Sequence, residues 1–116
     1  MNKEVNFEIA KLLKEKGFPQ LNTGLYYTKD KEHCLVGWGF NDRTEESFAQ
    51  YSAPTIAEVV MWLYEKHGIW IYVSGPDKNG WVIHWQGLES YPTLMYPSSP
   101  TEAYEFAIEY TLKNLI

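Results

Sequence analysis

Cysteine is almost absent from the 116-residue chain, which holds only Cys34. A single cysteine excludes an internal disulfide bond and any metal site that is built from several thiolates. The three histidines, His33, His67 and His84, match no ligand spacing such as His-x-x-x-His. We therefore predict that the protein binds no metal ion and no cofactor.

Long apolar runs are absent as well. No segment of the chain approaches the roughly 20 consecutive apolar residues that cross a bilayer. Residues 1–4 lead into a helical pattern with scattered lysines, and they lack the charged and apolar regions of a signal peptide. We therefore expect a cytoplasmic protein that does not interact with a membrane.

Positive charge is scarce, because 10 Lys and Arg stand against 15 Asp and Glu, a net charge of −5. Proteins that bind a phosphate backbone need clustered Lys and Arg, so this balance disfavours nucleic acid as a partner. The chain also has no Gly-x-Ser-x-Gly elbow and no Gly-rich phosphate loop between a strand and a helix. We name no catalytic residue and favour a protein that is not an enzyme.

Aromatic residues, in contrast, are abundant: five Trp, nine Tyr and five Phe make up 16% of the chain. A hydrophobic content of 45% argues against disorder. The length is typical of one domain, so we predict a single domain over residues 1–116. The many Trp and Tyr residues are the main compositional indication of a binding surface.

The clearest local pattern is a helix that begins near Thr55. Thr55 can act as its N-cap, with Glu58 three residues later in a capping box, and Gly68 follows the helix where a left-handed residue is favoured. Met61, Trp62 and Tyr64 widen the apolar arc of this helix past its main stripe. A helix with so wide an apolar arc is expected to be covered on more than one side.

A β-hairpin is predicted next. Residues 69–73 and 81–85 are rich in β-branched and aromatic side chains, and the turn between them contains Gly and Pro. We predict that Val73 lies opposite Trp81. Because side chains alternate between faces along a strand, one face then carries the aliphatic core. The opposite face carries three ring-bearing residues: Trp70, Tyr72 and His84.

The remaining elements give a helix–hairpin–helix–hairpin–helix order. We predict a helix over 3–16 that Gly17 ends, strands over 25–28 and 33–38, a connection over 39–53 with a short strand near 48–52, a packed loop over 86–97 and a helix over 99–116. Ser99 is the predicted N-cap of the last helix, and Phe106 lies on its predicted buried side. This order predicts a two-layer α+β fold, with an antiparallel sheet of about four strands and three helices mainly on one face.

An internal echo indicates two related halves. The pattern Ser-x-Pro-Thr-x-Ala occurs at residues 52–57 and again at 98–103. One interpretation is a duplication of two helix–hairpin halves, 3–38 and 54–87, followed by the C-terminal helix 99–116. The alternative is that helix-cap chemistry alone produces the likeness.

Four segments also resemble a known group of proteins. They are Ala-Lys-Leu-Leu-Lys-Glu-Lys-Gly-Phe at 10–18, Tyr-Ser-Ala-Pro-Thr at 51–55, Trp-Leu-Tyr-Glu-Lys-His-Gly-Ile at 62–69 and Ala-x-x-Tyr-Thr-Leu-Lys-Asn-Leu-Ile at 107–116. Together they are similar to small uncharacterised proteins from prophages and mobile elements of gut bacteria. The resemblance implies a phage or mobile-element origin, and it brings no activity and no site residues.

The face with Trp70, Tyr72 and His84 is too apolar for an ordinary solvated surface, and Tyr26 of the first hairpin could join it. Such rings on a rigid sheet are good anchors for a partner. Three alternatives remain open: a helix of the same chain covers this face, a second copy covers it in a homodimer, or a protein partner or small ligand does. The leading hypothesis is a non-enzymatic interaction or accessory module. The alternative is a small enzyme of unknown class that uses His84 as a general base in a cleft.

Overall fold

The computed structural model describes residues 3–20, 24–28, 35–38, 49–78, 80–87, 93–96 and 99–116. Over these residues the protein is α+β with three helices, as predicted. The elements in chain order are α1 (Phe7–Glu15), β1 (Gly24–Thr28), β2 (Leu35–Trp38), β3 (Ala49–Ser52), α2 (Ile56–His67), β4 (Trp70–Asp77), β5 (Gly80–Gln86), β6 (Thr93–Tyr96) and α3 (Pro100–Asn114). The chain divides into two compact units, an N-terminal unit over 3–55 and a C-terminal unit over 56–116.

The N-terminal unit consists of α1 and a three-stranded antiparallel sheet in the order β2-β1-β3, with α1 packed on β3. Phe7 of α1 makes edge-on contacts with Tyr27 and Tyr51, at centroid distances of 5.7 and 5.6 Å. Tyr27 is buried, and its hydroxyl donates a hydrogen bond of 2.8 Å to the carbonyl oxygen of Val5. These contacts join the helix to the sheet.

Helix α1 is shorter at its start than the predicted 3–16. It begins at Phe7 because the Asn6 side chain accepts the backbone N–H of Ile9 at 2.9 Å and caps the first turn. The helix ends at Glu15, within a residue of the predicted end, and Gly17 follows the C-cap with a φ of +93°. The N–H groups of Gly17 and Phe18 donate to the carbonyls of Lys14 and Leu13, and this Schellman motif satisfies the last carbonyls of the helix.

The C-terminal unit places α2 and α3 against a second antiparallel sheet, in the order β4-β5-β6. Helix α2 begins at Ile56 and ends before Gly68, whose N–H donates to the carbonyl of Tyr64, so both predicted ends are confirmed within a residue. Helix α3 begins at Pro100 behind Ser99, and the Ser99 side chain accepts the N–H of Glu102 at 3.2 Å. This cap is also the one that the sequence predicts.

The hairpin register differs from the prediction. Val73 pairs with Ile83 and not with Trp81, so the predicted pairing is displaced by two residues. The reason is that β4 and β5 continue into the predicted turn as far as Asp77 and Gly80, with an irregularity in the register before that end. Because the displacement is even, each side chain keeps its predicted face.

The core of the C-terminal unit lies on the inner face of this sheet. Ile71, Ile83 and Trp85 are fully buried there, and the Trp85 indole N–H donates to the Thr111 hydroxyl of α3 at 2.8 Å. β4 is an edge strand of the described sheet. Its Val73 N–H donates to the hydroxyl of Tyr104, also from α3, at 3.3 Å.

Two parts of the predicted architecture are not confirmed. The single sheet of about four strands is not confirmed, because the described strands form two sheets of three. The loop predicted over 86–97 contains a strand, β6. The proposed duplication into 3–38 and 54–87 stays a prediction. Residues 29–34, which include Cys34, and residues 39–48 lie outside the described part of the chain.

Candidate aromatic binding surface

The outer face of the C-terminal sheet consists of alternate side chains from β4 and β5. Their cross-strand pairs are Trp70 with Gln86, Tyr72 with His84, and Ser74 with Val82. All six are half-buried or exposed, in contrast to the buried residues of the inner face. The structure therefore places Trp70, Tyr72 and His84 on one face, as the alternation predicts.

Tyr72 and His84 form the centre of the outer face. Their rings are stacked with centroids 4.4 Å apart and planes only 10° from parallel. The Nε2 atom of His84 lies 2.9 Å from the hydroxyl oxygen of Ser74, close enough for a hydrogen bond in either direction according to the tautomer. Stacking and hydrogen bonding together restrict the rotamers of all three side chains.

Trp70 extends this surface to helix α2. Its ring meets the Tyr64 ring nearly at a right angle, with an interplanar angle of 79° and centroids 5.5 Å apart. The two rings, with Met61 and Gln86, line a groove of about 410 Å³. We call it the α2 groove. Tyr64 is 54% exposed and Met61 44% exposed, so the groove is open to a partner.

The exposure of these two α2 residues corrects a prediction in part. Helix α2 was expected to be covered on more than one side, and Trp62 is buried in addition to the main stripe, whereas Met61 and Tyr64 are exposed. The main stripe consists of Ile56, Val59, Val60 and Leu63. Met61 and Tyr64 are turned away from it, and they form part of the surface.

A second, smaller groove lies on helix α3. It has a volume of about 210 Å³ and is lined by Phe106, Glu109, Tyr110, Lys113 and Asn114. Phe106, which the sequence placed on the buried side of α3, is 39% exposed. The ion pair between Glu109 and Lys113, at 2.8 Å, makes this groove more polar at one end.

Three of the four candidate site residues lie in the C-terminal sheet, and the fourth lies in the N-terminal sheet. Trp70, Tyr72 and His84 are half-buried. Tyr26 lies in β1 of the N-terminal unit, where it pairs with Val36, and its side chain is outside the described part of the molecule. Its membership of the surface stays a prediction.

Sequence reasoning missed four residues of the surface: Met61, Tyr64, Ser74 and Gln86. Each had a signal in the sequence. The first two are apolar residues outside the buried stripe of a helix, and the last two share the strand parity of the named rings. An outlier from a helical stripe can equally be covered by another element, which is why the pattern alone did not separate them from core.

The chemistry available at this surface is stacking, apolar contact and hydrogen bonding. The pair of Ser74 and His84 has the spacing of a nucleophile and its base. A triad also needs a group that orients the histidine, and the described contacts of His84 include no carboxylate. Among the described residues, no group of three or more His, Cys, Asp or Glu side chains could hold a metal ion.

Comparison of the chain with models of known families, with curated proteins and with solved structures finds no match. None of the described helices is long and apolar enough to span a bilayer. A function for the outer face and the α2 groove therefore has to be inferred from the residues that form them. The resemblance to prophage proteins stays a prediction.

Proposed function

We propose that the protein is a non-enzymatic interaction module that binds a protein partner through the outer face and the α2 groove. One observation supports it above the others: large apolar side chains are exposed where they adjoin a half-buried aromatic row. Met61 and Tyr64 are 44% and 54% exposed, and they continue into Trp70 and Tyr72. Contiguous apolar surface of this kind marks interaction sites.

The rigidity of the surface supports the same proposal. Tyr72 is held by the stack with His84, and Trp70 by its contact with Tyr64. Side chains that are ordered before binding lose little conformational entropy in the complex. Aromatic anchors with these properties dominate the binding energy of many protein interfaces.

The partner can be another protein or a second copy of this chain. A homodimer would cover the outer face of each copy with that of the other, since two-fold interfaces use the same patch twice. Light scattering on the purified protein separates the two cases by mass. An accessory role in a phage or mobile element is part of the proposal and has the sequence resemblance as its support.

The first test replaces Trp70 and Tyr72 together by Ser. Because both side chains lie on the outer face, we expect the far-UV circular dichroism and the cooperative unfolding to be kept. We expect the variant to lose self-association in light scattering, or else to lose binding to peptides selected from a display library on the unaltered chain. Phe106→Ser, an exposed ring in the other groove, is the matched control and should lose neither.

Two results would contradict this proposal. If the double variant unfolds, the two rings are part of the core. If it folds and keeps both self-association and all selected peptides, the outer face is not the binding surface.

The Ser74–His84 contact favours a second candidate function, an enzyme that transfers acyl groups. In that case the protein hydrolyses p-nitrophenyl acetate faster than free imidazole does, and Ser74→Ala abolishes the difference. For an interaction module we expect no excess rate and no effect of Ser74→Ala. The absence of an orienting carboxylate from the described contacts of His84 favours the interaction module.

A further inference from the structure

We propose that the α2 groove binds the cationic side chain of an arginine or lysine supplied by the protein partner. The inference rests on the proposed function, because it names the chemistry that the surface recognises. It is supported by the geometry of Tyr64 and Trp70, by the Glu65 carboxylate on α2 and by the charge of the C-terminal unit.

The two rings of the groove form a right-angled corner. An interplanar angle of 79° with centroids 5.5 Å apart is an edge-to-face arrangement. In such a pair, the ring that supplies its edge keeps its own face uncovered by the other ring. The π-electron face of Trp or Tyr attracts an ammonium or guanidinium group within about 6 Å of its centroid. A planar guanidinium can therefore stack on one wall of the corner.

The remaining lining residues suit the same ligand. Met61 adds a polarisable thioether, which contacts the apolar stem of a long cationic side chain without requiring a polar partner. Gln86 is exposed and carries an amide oxygen that can accept a hydrogen bond from the charged head. The volume of about 410 Å³ accommodates one such side chain.

A negative charge lies on the same helix as two of the lining residues, Met61 and Tyr64. Glu65 is exposed and follows Met61 by four residues on α2, so the two side chains share one face of the helix. A carboxylate on the helix face of Met61 attracts a cation and repels an acidic ligand. The Glu65 carboxylate is exposed to solvent, so the empty groove does not incur the energetic cost of a buried, unpaired charge.

The wider electrostatic field has the same sign. Residues 56–116 contain seven Asp and Glu, three Lys and no Arg, which gives a net charge of −4. Residues 1–55 contain eight acidic and seven basic residues, a net charge of −1. Most of the negative charge therefore belongs to the unit with the α2 groove, and it steers basic segments towards that unit.

The protein already uses this interaction within its N-terminal unit. The Lys11 ammonium lies 5.9 Å from the centroid of the Phe7 ring, and the Lys14 ammonium lies 5.3 Å from that of Tyr51. Both are partly solvated contacts at a helix surface, like the one proposed at Tyr64.

An amphipathic helix is a poorer occupant of the α2 groove. Such a helix needs a row of pockets for several successive anchor side chains, whereas the α2 groove is a single pocket.

The test uses the full chain and two peptides that differ only in charge: acetyl-Gly-Arg-Gly-amide and the same peptide with citrulline, the neutral isostere. Binding is followed by two-dimensional ¹H–¹⁵N spectra, with the Trp70 indole resonance assigned from Trp70→Phe. We expect the arginine peptide to shift this resonance and the citrulline peptide not to shift it. We expect Tyr64→Leu to weaken arginine-peptide binding at least about threefold, whereas Phe106→Leu leaves it unchanged.

A charge variant gives an independent measurement. Glu65→Gln should weaken binding of the arginine peptide about twofold at low salt. Glu15→Gln makes the same change of net charge on the exposed end of α1 in the other unit and should have no effect.

The proposal of a cationic ligand is wrong if the two peptides bind with equal affinity, or if neither peptide shifts the Trp70 indole resonance. That failure is separate from failure of the proposed function. The Trp70/Tyr72 variant can still lose self-association or selected peptides that are not basic, and the interaction module then stands with a different ligand chemistry. If the variant loses neither, the proposed function itself is wrong.

Discussion

At the scale of single residues, Trp85 and Thr111 show how a large side chain with a polar atom is buried. Both are fully buried. The indole N–H donates to the Thr111 hydroxyl at 2.8 Å, and that hydroxyl donates onward to the carbonyl of Ala107 at 2.7 Å. The only polar atom of the tryptophan side chain thus has a partner, and the hydroxyl both accepts and donates.

This arrangement predicts a difference between two substitutions of Thr111. Thr111→Val keeps the volume but leaves the buried indole N–H without an acceptor, so we expect a loss of about 1–3 kcal/mol in the free energy of unfolding. Thr111→Ser keeps the hydroxyl and loses one methyl group, which costs about 1 kcal/mol. Urea titrations followed by circular dichroism measure both. If the Val variant is no less stable than the Ser variant, the hydrogen bond contributes no net stability.

Residue-scale prediction from the sequence succeeded for the face of each side chain and failed for its exposure. Trp70, Tyr72 and His84 lie on one face because strand alternation is independent of register shifts by two. Tyr64 was expected under another element. Exposure depends on which elements pack together, and local spacing carries no information about that.

At the scale of secondary-structure elements, Gly87 determines how the end of β5 approaches the end of α2. Gly87 has a φ of +97°. A Cβ atom added there would collide with the backbone carbonyl oxygen of Gly68 and lie 3.1 Å from its carbonyl carbon. The missing side chain of Gly87 therefore allows this segment to approach the backbone of Gly68 more closely than any other residue permits.

We predict that Gly87→Ala lowers the free energy of unfolding by more than about 2 kcal/mol, since the strained φ and the backbone collision act together. Gly17→Ala is the matched control. Its φ of +93° is nearly the same, but an added Cβ meets nothing within 4 Å, so it should cost about 1 kcal/mol. If chemical denaturation shows equal losses in the free energy of unfolding for the two variants, the backbone near Gly68 moves away from the added Cβ atom at no energetic cost, and the prediction is wrong.

Elements with strong local signals were predictable, and those that depend on a distant partner were not. The N-cap at Ser99 and the glycines after α1 and α2 are short-range chemistry, and the ends they predict are confirmed. Strand β6 was missed because Thr93–Tyr96 lies between prolines and has no clear alternation. It is a strand because β5 supplies its hydrogen bonds, with Val82 paired to Met95.

At the scale of the whole molecule, the net negative charge is divided unequally between two compact units, −4 over residues 56–116 and −1 over residues 1–55. Each unit has its own helix and its own three-stranded sheet, and α3 belongs to the C-terminal one. Four of the five tryptophans lie in residues 56–116. Both the aromatic surface and most of the negative charge therefore belong to one half of the chain.

We predict that residues 56–116 fold without the rest of the chain, because the buried contacts between α3 and its sheet lie within this segment. Near 60 residues a domain is marginal, so its unfolding midpoint should lie below that of the full chain. Circular dichroism and the dispersion of indole N–H resonances measure this, with the full chain as reference. A fragment without helical signal would show that the C-terminal unit needs the N-terminal one.

The Tyr104 hydroxyl at the edge of the C-terminal sheet limits how a partner can bind. Exposed edge strands invite β-augmentation, in which a foreign segment extends the sheet through backbone hydrogen bonds. On β4 the outward N–H of Val73 is already occupied by that hydroxyl, so an incoming segment would have to displace a tyrosine first. This requirement favours recognition of partner side chains over backbone pairing at Val73, and side-chain recognition is selective for partner sequence.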